Sequence, residues 1–215
     1  MSQNRVSKIR IPNITARDVP TILGLNPYET AWQLLEKKVE NKHKFFGNKF
    51  TDHGYKYEKT GLEMYSKITN NKIIPQGNKR HFIYNWLTGR PDAITENNCI
   101  VEIKCPYSKN KKTHYGKDIP KHYWAQCQVY MEMLDIEVCH YAELHIKPDS
   151  PVDGSQGELV YFAVCRNRKW WEKIIPVVSE FYKEMVNWIE QGSLEEHSVR
   201  KIEIEWGKKY NYNSY

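Results

Sequence analysis

A chain of 215 residues with 40% hydrophobic and 13% aromatic content, including seven Trp and fifteen Tyr, can bury one ordinary core and is not a disordered polymer. Its formal net charge of +6 favours an anionic partner without requiring one. No apolar run reaches the length of a membrane span, and "MSQNRVSKIRIPNI" lacks the apolar block of a secretion signal, so an intracellular protein is expected, with no membrane contact.

In chain order, "NITARDVPTILGLNPYET" predicts a short helix capped by Thr15, with Asp18 three residues on, and ended by Gly24. A second helix follows, with Trp32, Leu35 and Val39 on one face. A third is expected over roughly 52–69, with Lys56, Lys59, Glu63 and Lys67 wet and Tyr57, Gly61, Met64, Tyr65 and Ile68 apolar. Glu58 breaks that pattern, because helical spacing stacks it with Leu62 and Tyr65 at the edge of the apolar stripe.

The pattern then shortens to β-like runs: "KIIPQ", "HFIYNWLTG", "PDAIT" and "CIVEIKC", with "ENN" turning between the last two. "KNKKTHYGKD" reads as a basic loop whose Lys109, Lys111, Lys112, His114 and Tyr115 suit a polyanion and solvent about equally. "PKHYWAQCQVYMEMLD" reads as a helix opened by Pro120, with Tyr123, Cys127, Tyr130 and Leu134 on one stripe. Two strands follow, "VCHYAELHI" and "ELVYFAVC". A long helix then sets Trp171, Ile174, Ile175, Val178, Phe181, Met185 and Trp188 on one face, kinked or restarted at Pro176. That regular period marks a core face rather than a stacking platform. The expected architecture is α/β (α+β-like), a central mixed sheet flanked by helices, in one domain over 1–195 with a loose tail at 196–215.

The chemistry concentrates in "TGRPDAITENNCIVEIKCP", residues 88–106. Alternation along a strand puts Glu102 and Lys104 on one side, with Val101, Ile103 and Cys105 on the other. If "PDAIT" pairs with "CIVEIKC", Asp92 arrives at the same end of the sheet as Glu102. Two carboxylates held together shift each other's pKa unless a cation lies between them. Oxygen ligands of this kind suit a hard divalent ion such as Mg²⁺, and a neighbouring lysine can orient water or stabilise charge on a phosphate. E-x-K alone is common in strands with solvated charges. Three details weigh against that reading: the preceding Pro91-Asp92, the apolar flanks, and Glu58 as a third acid needing a partner. The histidines show no metal-ligand spacing. The five cysteines include no C-x-x-C pair, and Cys105 is expected to face away from the acids as an inert thiol.

At these residues the chain resembles the lambda-exonuclease type, or YqaJ-like viral recombinase, family of PD-(D/E)XK restriction-endonuclease-like nucleases. "RPDAI…VEIKCP" matches the P-D-x(n)-(D/E)-x-K core and "ITA" within "RIPNITARDVPTILGLNPYET" the N-terminal element. "HGYKYEKTGLEMYSKIT" resembles the G-x-x-x-E helix, and "HYWAQCQVYMEM" the A-Q-x-Q helix. The resemblance runs in order from about Arg10 to Trp188. It implies a metal site of Asp92, Glu102, Glu58 and the Ile103 carbonyl, holding Mg²⁺ (or Mn²⁺), two ions in all. It further implies Lys104 acting on the water and Gln126 supporting the site. Substrate contacts fall on Arg10, Thr15, Arg17, Arg90 and Tyr130. The implied activity is exonucleolytic digestion of linear double-stranded DNA from 5′ ends, leaving 3′ single strands for recombination or repair. The implied partners are DNA ends, a strand-annealing protein and two further copies in a homotrimeric ring. Arg17 and Arg90 depart from the family pattern, which tends to place small hydroxyl residues there. An endonuclease on DNA or RNA with the same site, and a non-catalytic nucleic-acid-binding module, are the competing readings. The intact acids and Lys104 disfavour the second.

Overall fold

The computed structural model describes residues 11–40, 47–107 and 119–191; Arg10, the basic loop at 109–115 and the expected tail at 196–215 lie outside them. Eight strands and five helices are present among the described residues. Five strands form the main sheet in the order β2 (Ile73–Pro75), β5 (Ala93–Thr95), β6 (Ile100–Lys104), β7 (Val138–His145), β8 (Glu158–Cys165). The expected β5–β6 hairpin forms, with Ala93 opposite Val101, and Asn98 turns the chain at φ 58°. Strands β6 and β7 run parallel, so a crossover must join them, and helix α4 (Lys121–Leu134) supplies it. Pro120 opens that helix and Asp135, left-handed at φ 53°, ends it.

The sheet is buried on both faces. Ile100, Cys139 and Tyr141 join the cluster of α4 and the long helix α5 (Arg168–Gln191), whereas Val101, Ile103, Ala142 and Leu144 pack with Tyr57, Leu62 and Tyr65 of α3 (Lys49–Thr69). All seven apolar residues picked out on the last helix are buried, and α5 continues through Pro176. Helix α2 (Ala31–Glu40) contributes Leu34 and Leu35 to the same cluster.

Four local expectations change. The first helix, α1 (Asp18–Ile22), is not capped by Thr15; Thr15 lies in the two-residue strand β1 (Ile14–Thr15), and the capping position is Arg17. Asp18 instead reaches back to accept the Thr15 N–H at 2.6 Å. Gly24 follows at φ 68°, ending the segment as expected. Helix α3 starts at Lys49, three residues early, because Asn48 and Thr51 cap each other's backbone N–H groups. Ile68, in the last turn of α3, is 56% exposed, since the packing stripe ends with Tyr65. Finally, "HFIYNWLTG" is not one strand. The His81 ring accepts the N–H groups of Ile83 (3.0 Å) and Tyr84 (3.2 Å), turning the chain between β3 (Lys79–Arg80) and β4 (Leu87–Gly89). These two strands and β1 form a small second sheet in the order β1-β4-β3.

Helix α3 approaches the main sheet through Gly61. A Cβ there would lie 2.7 Å from Ile103 Cγ2, so any larger residue displaces the helix from β6. Glu58, three residues earlier, is carried by that contact to the C-terminal end of β6. Gly61→Ala should therefore destabilise the protein by about 1–3 kcal/mol through overpacking. Gly54→Ala in the same helix, where nothing lies within 4 Å of the added carbon, should stabilise it by about 0.5–1 kcal/mol. Urea denaturation with unchanged m-values checks both.

Candidate active site

Pairing of β5 with β6 ends at Ala93 and Val101, which leaves the next stretch of β6 without a strand neighbour on that side. Asp92 occupies the gap, and its Oδ2 accepts the Ile103 N–H at 2.7 Å. In an extended strand a residue's carbonyl points the same way as its N–H, so the Ile103 carbonyl also faces this gap. Glu102, one residue earlier, projects toward α4 and is wholly buried. Its Oε1 accepts from the Lys104 ammonium and from Gln126 Nε2 (2.8 Å). Its Oε2 is buried with no partner among the described residues. Gln126 Nε2 also reaches the Tyr130 hydroxyl at 3.0 Å, and that hydroxyl donates to the Arg90 carbonyl at 3.0 Å. Tyr130 fits because position 89 is glycine; a Cβ there would meet the Tyr130 ring at 2.8 Å.

The electrostatics follow from this crowding. Burial, then the charge of Glu102 and further off Glu58, pushes the Asp92 carboxyl up to about 8, against the opposing pull of Lys104 and the Ile103 N–H. Burial pulls the Lys104 ammonium down, but Glu102 and Asp92 outweigh it and leave the pKa above the ordinary lysine value. Arg17 behaves alike: burial lowers it, and Glu102, Tyr130 and Asp92 raise it further. Cys105, packed on the α3 face, is pushed up to about 12 by burial and the neighbouring acids, so its thiol stays protonated at neutral pH.

Two cavities open onto these residues. One of about 620 Å³ is bordered by Glu58, Ile103, Lys104, Tyr123, Gln126 and Glu143. The other, about 360 Å³, is bordered by Thr15, Arg17, Glu58, Arg90, Asp92 and Tyr130. Arg17 and Glu58 border both.

As they stand, the described acids do not converge into a three-ligand cage. Their chemistry nonetheless fits a hard cation. Glu102 keeps an unpartnered buried oxygen, Asp92 holds its proton far above the usual carboxylate range, and both donors are oxygens beside a third carboxylate. The residues that could hold such an ion are Asp92, Glu102, Glu58 and, through its carbonyl, Ile103.

The structure thus places Glu58, Ile103, Lys104 and Gln126 on the larger cavity and Thr15, Arg17, Glu58, Arg90, Asp92 and Tyr130 on the smaller, with the buried Glu102 bonded to Lys104 and Gln126 behind them. Arg10 lies outside the described residues. Sequence reasoning missed Tyr55 and Asn78 of the smaller cavity, for which the sequence carries no signal. It also missed Glu143. That residue is buried in β7, accepts from the Tyr141 hydroxyl at 2.5 Å, and pairs with His145 Nε2 at 3.0 Å. An acid inside the apolar run "HYAELHI" is the same signal that drew attention to Glu102.

Comparisons with known proteins bear on the fold and the family. The alkaline exonuclease LHK-Exo from Laribacter hongkongensis superposes with a TM-score of 0.66 at 21% identity, over 85% of this chain and 92% of that one. Its complex with dAMP gives 0.67 at 21% identity, over 84% and 91%. A phage-related exonuclease from Haemophilus somnus 129PT gives 0.68 at 15% identity, over 86% and 98%. At these identities the likeness establishes the fold, which is the restriction-endonuclease-like one. No curated protein sequence matches the chain. The model of the YqaJ-like viral recombinase domain matches residues 7–137, more than half of the chain. With that match and the fold in agreement, the chain belongs to the YqaJ-like viral recombinase domain family.

Proposed function

We propose that the chain is a divalent-cation-dependent deoxyribonuclease that degrades linear double-stranded DNA from its 5′ ends, leaving 3′ single strands for recombination or repair. The observation that carries the reading is the orphaned, buried Glu102 oxygen, its partner Lys104, and an Asp92 carboxyl pushed up to about 8 by burial and the charge of Glu102. Family membership and the exonuclease-like fold support it.

Asp92, Glu102, Glu58 and the Ile103 carbonyl would hold Mg²⁺ or Mn²⁺, two ions in all. Such ions supply Lewis-acid polarisation of the scissile phosphate and a water acidified toward hydroxide. The chain's own residues do the rest. The Ile103 N–H fixes the Asp92 carboxylate, and Gln126 fixes that of Glu102. Lys104 places an ammonium where charge builds on the transferring phosphoryl group. Arg17 and Arg90, at the wall of the smaller cavity, suit a terminal phosphate held by a guanidinium fork. Action inside the cell, ring assembly around the duplex and cooperation with a strand-annealing protein belong to the same reading.

With Mg²⁺, linear duplex should disappear while a covalently closed circle persists, faster when the 5′ end is phosphorylated. Glu102→Ala and Lys104→Ala should each lower the rate at least about a hundredfold. Loss of the circle at the linear rate would instead indicate an endonuclease. Loss of neither, with Glu102→Ala equal to wild type, would indicate a binding module. Arg17→Ala and Arg90→Ala should raise KM for phosphorylated ends and each reduce the salt slope of binding by about one.

The proton on Asp92 sets a second expectation. Between its unfolded value of 3.8 and about 8, the folded chain holds a proton that the unfolded chain does not. In chelator, stability should therefore fall as pH rises through this window, by at most about 1.4 kcal/mol per unit, and level off above it. Asp92→Asn, which retains an acceptor for the Ile103 N–H, should flatten that slope. A cation competes with the same proton, so the rise in Tm on adding Mg²⁺ or Mn²⁺ should be larger at pH 8.5 than at pH 6.

A further inference from the structure

The ammonium of Lys104 ends a flexible four-carbon stem, so one contact cannot hold it at one place. Among the described residues it has two: the Glu102 carboxylate and the face of the Tyr123 ring, whose centroid lies 5.0 Å away. We propose that Tyr123 is a positioning residue for Lys104, holding the ammonium over its ring within the larger cavity that both residues border.

The ring is itself held. Tyr123 stacks on Tyr141 at 5.7 Å and 26°, and Tyr141 is anchored by its hydroxyl on Glu143 Oε1 at 2.5 Å. The register of β6 against β7 builds this support, because Tyr141 lies opposite Glu102 and Glu143 opposite Lys104. Helix α4 contributes the other side, with Tyr123 and Gln126 three residues apart on the same face. One helix turn therefore grips both halves of the Glu102–Lys104 pair: Gln126 binds the carboxylate and Tyr123 the ammonium. The two grips differ in kind. A carboxylate shared with a bound cation would relax its hold on the ammonium, whereas attraction by the ring quadrupole is independent of what Glu102 binds. The ring face rather than the hydroxyl makes the contact, so phenylalanine should replace tyrosine and an aliphatic residue should not. A residue that merely packs α4 against the sheet would also favour phenylalanine, but its loss would cost as much without the Lys104 ammonium as with it.

The kinetic arm of the test rests on the nuclease reading; the labelling arm does not. Amine-reactive labelling of the whole protein, read by peptide mass spectrometry, should show Lys104 reacting several-fold faster in Tyr123→Leu. In Tyr123→Phe it should stay within twofold of wild type, with the exposed Lys59 unchanged throughout. If the leucine variant fails to fold, Tyr123→Met removes the ring with less loss of volume. On linear duplex with Mg²⁺, Tyr123→Leu should lower kcat about tenfold with KM within twofold, and Tyr123→Phe should restore it. In a Lys104→Gln background, Tyr123→Leu should cost nothing further. Unchanged Lys104 labelling in the leucine variant, or equal change in the phenylalanine variant, would overturn the proposal. A wild-type protein that cleaves nothing would remove the nuclease reading, and labelling would still decide the placement of Lys104.

Discussion

A carboxylate buried at the centre of a β-sheet, beyond the reach of water, constrains everything around it. Leaving such a group without donors costs several kcal/mol. Glu102 finds its donors on its own strand face, from Lys104, and on the crossover helix, from Gln126. That second bond ties α4 to β6 near the helix start. The far end of α4 is tied by a buried ion pair, the Arg166 guanidinium on Glu132 at 2.6 Å, and by the same guanidinium on the exposed Asp135 at 2.6 Å. Pinned at both ends, α4 cannot slide or rotate without breaking a charged hydrogen bond. The rigidity a catalytic cluster needs thus comes from groups that must be satisfied for the chain to fold at all.

Close approach does the remaining positioning. Gly61 lets α3 settle against Ile103, and Gly89 lets the Tyr130 ring reach past β4 to the Arg90 carbonyl. Both contacts couple core packing to the cleft. Gly61 fixes the height of Glu58 above the sheet, and Gly89 admits the hydroxyl that meets Gln126. In this fold, side-chain volume at two positions without a side chain decides where two elements of the site sit.

The parts of this arrangement legible in the sequence were those governed by periodicity and local turn chemistry. Alternation in "CIVEIKC" separated Glu102 and Lys104 from Val101 and Ile103, and the sheet faces divide the same way. Helical spacing marked Glu58 as a misfit and the seven core residues of α5 as a face. Other features depend on partners remote in sequence. Thr15 read as a helix cap, but its place in β1 is decided by pairing with Thr88, seventy-three residues later. His81 turns the chain with its ring nitrogen, which no pattern of apolar residues announces. Tyr123 belongs to an apolar stripe by period alone, yet its ring serves Lys104 as well as the core, because β7 supplies its backing.

Charge then links the two cavities. The carboxylates Asp92 and Glu102 act on Lys104 and Arg17, with Arg17 and Glu58 at the wall the cavities share and Arg90 on the smaller one. Such a balance leaves little net attraction for a polyanion while the acids are fully ionised and have only these cations for company. A divalent ion among the acids would neutralise them and free the field of Arg17 and Arg90 for phosphate. Arg17, raised in pKa by Glu102 and Asp92, is the group through which the change would be felt, since it answers to the acids on one side and to the smaller cavity on the other. Under the proposed function, Arg17 would therefore make the hold on a phosphate in the smaller cavity depend on a cation bound among the acids.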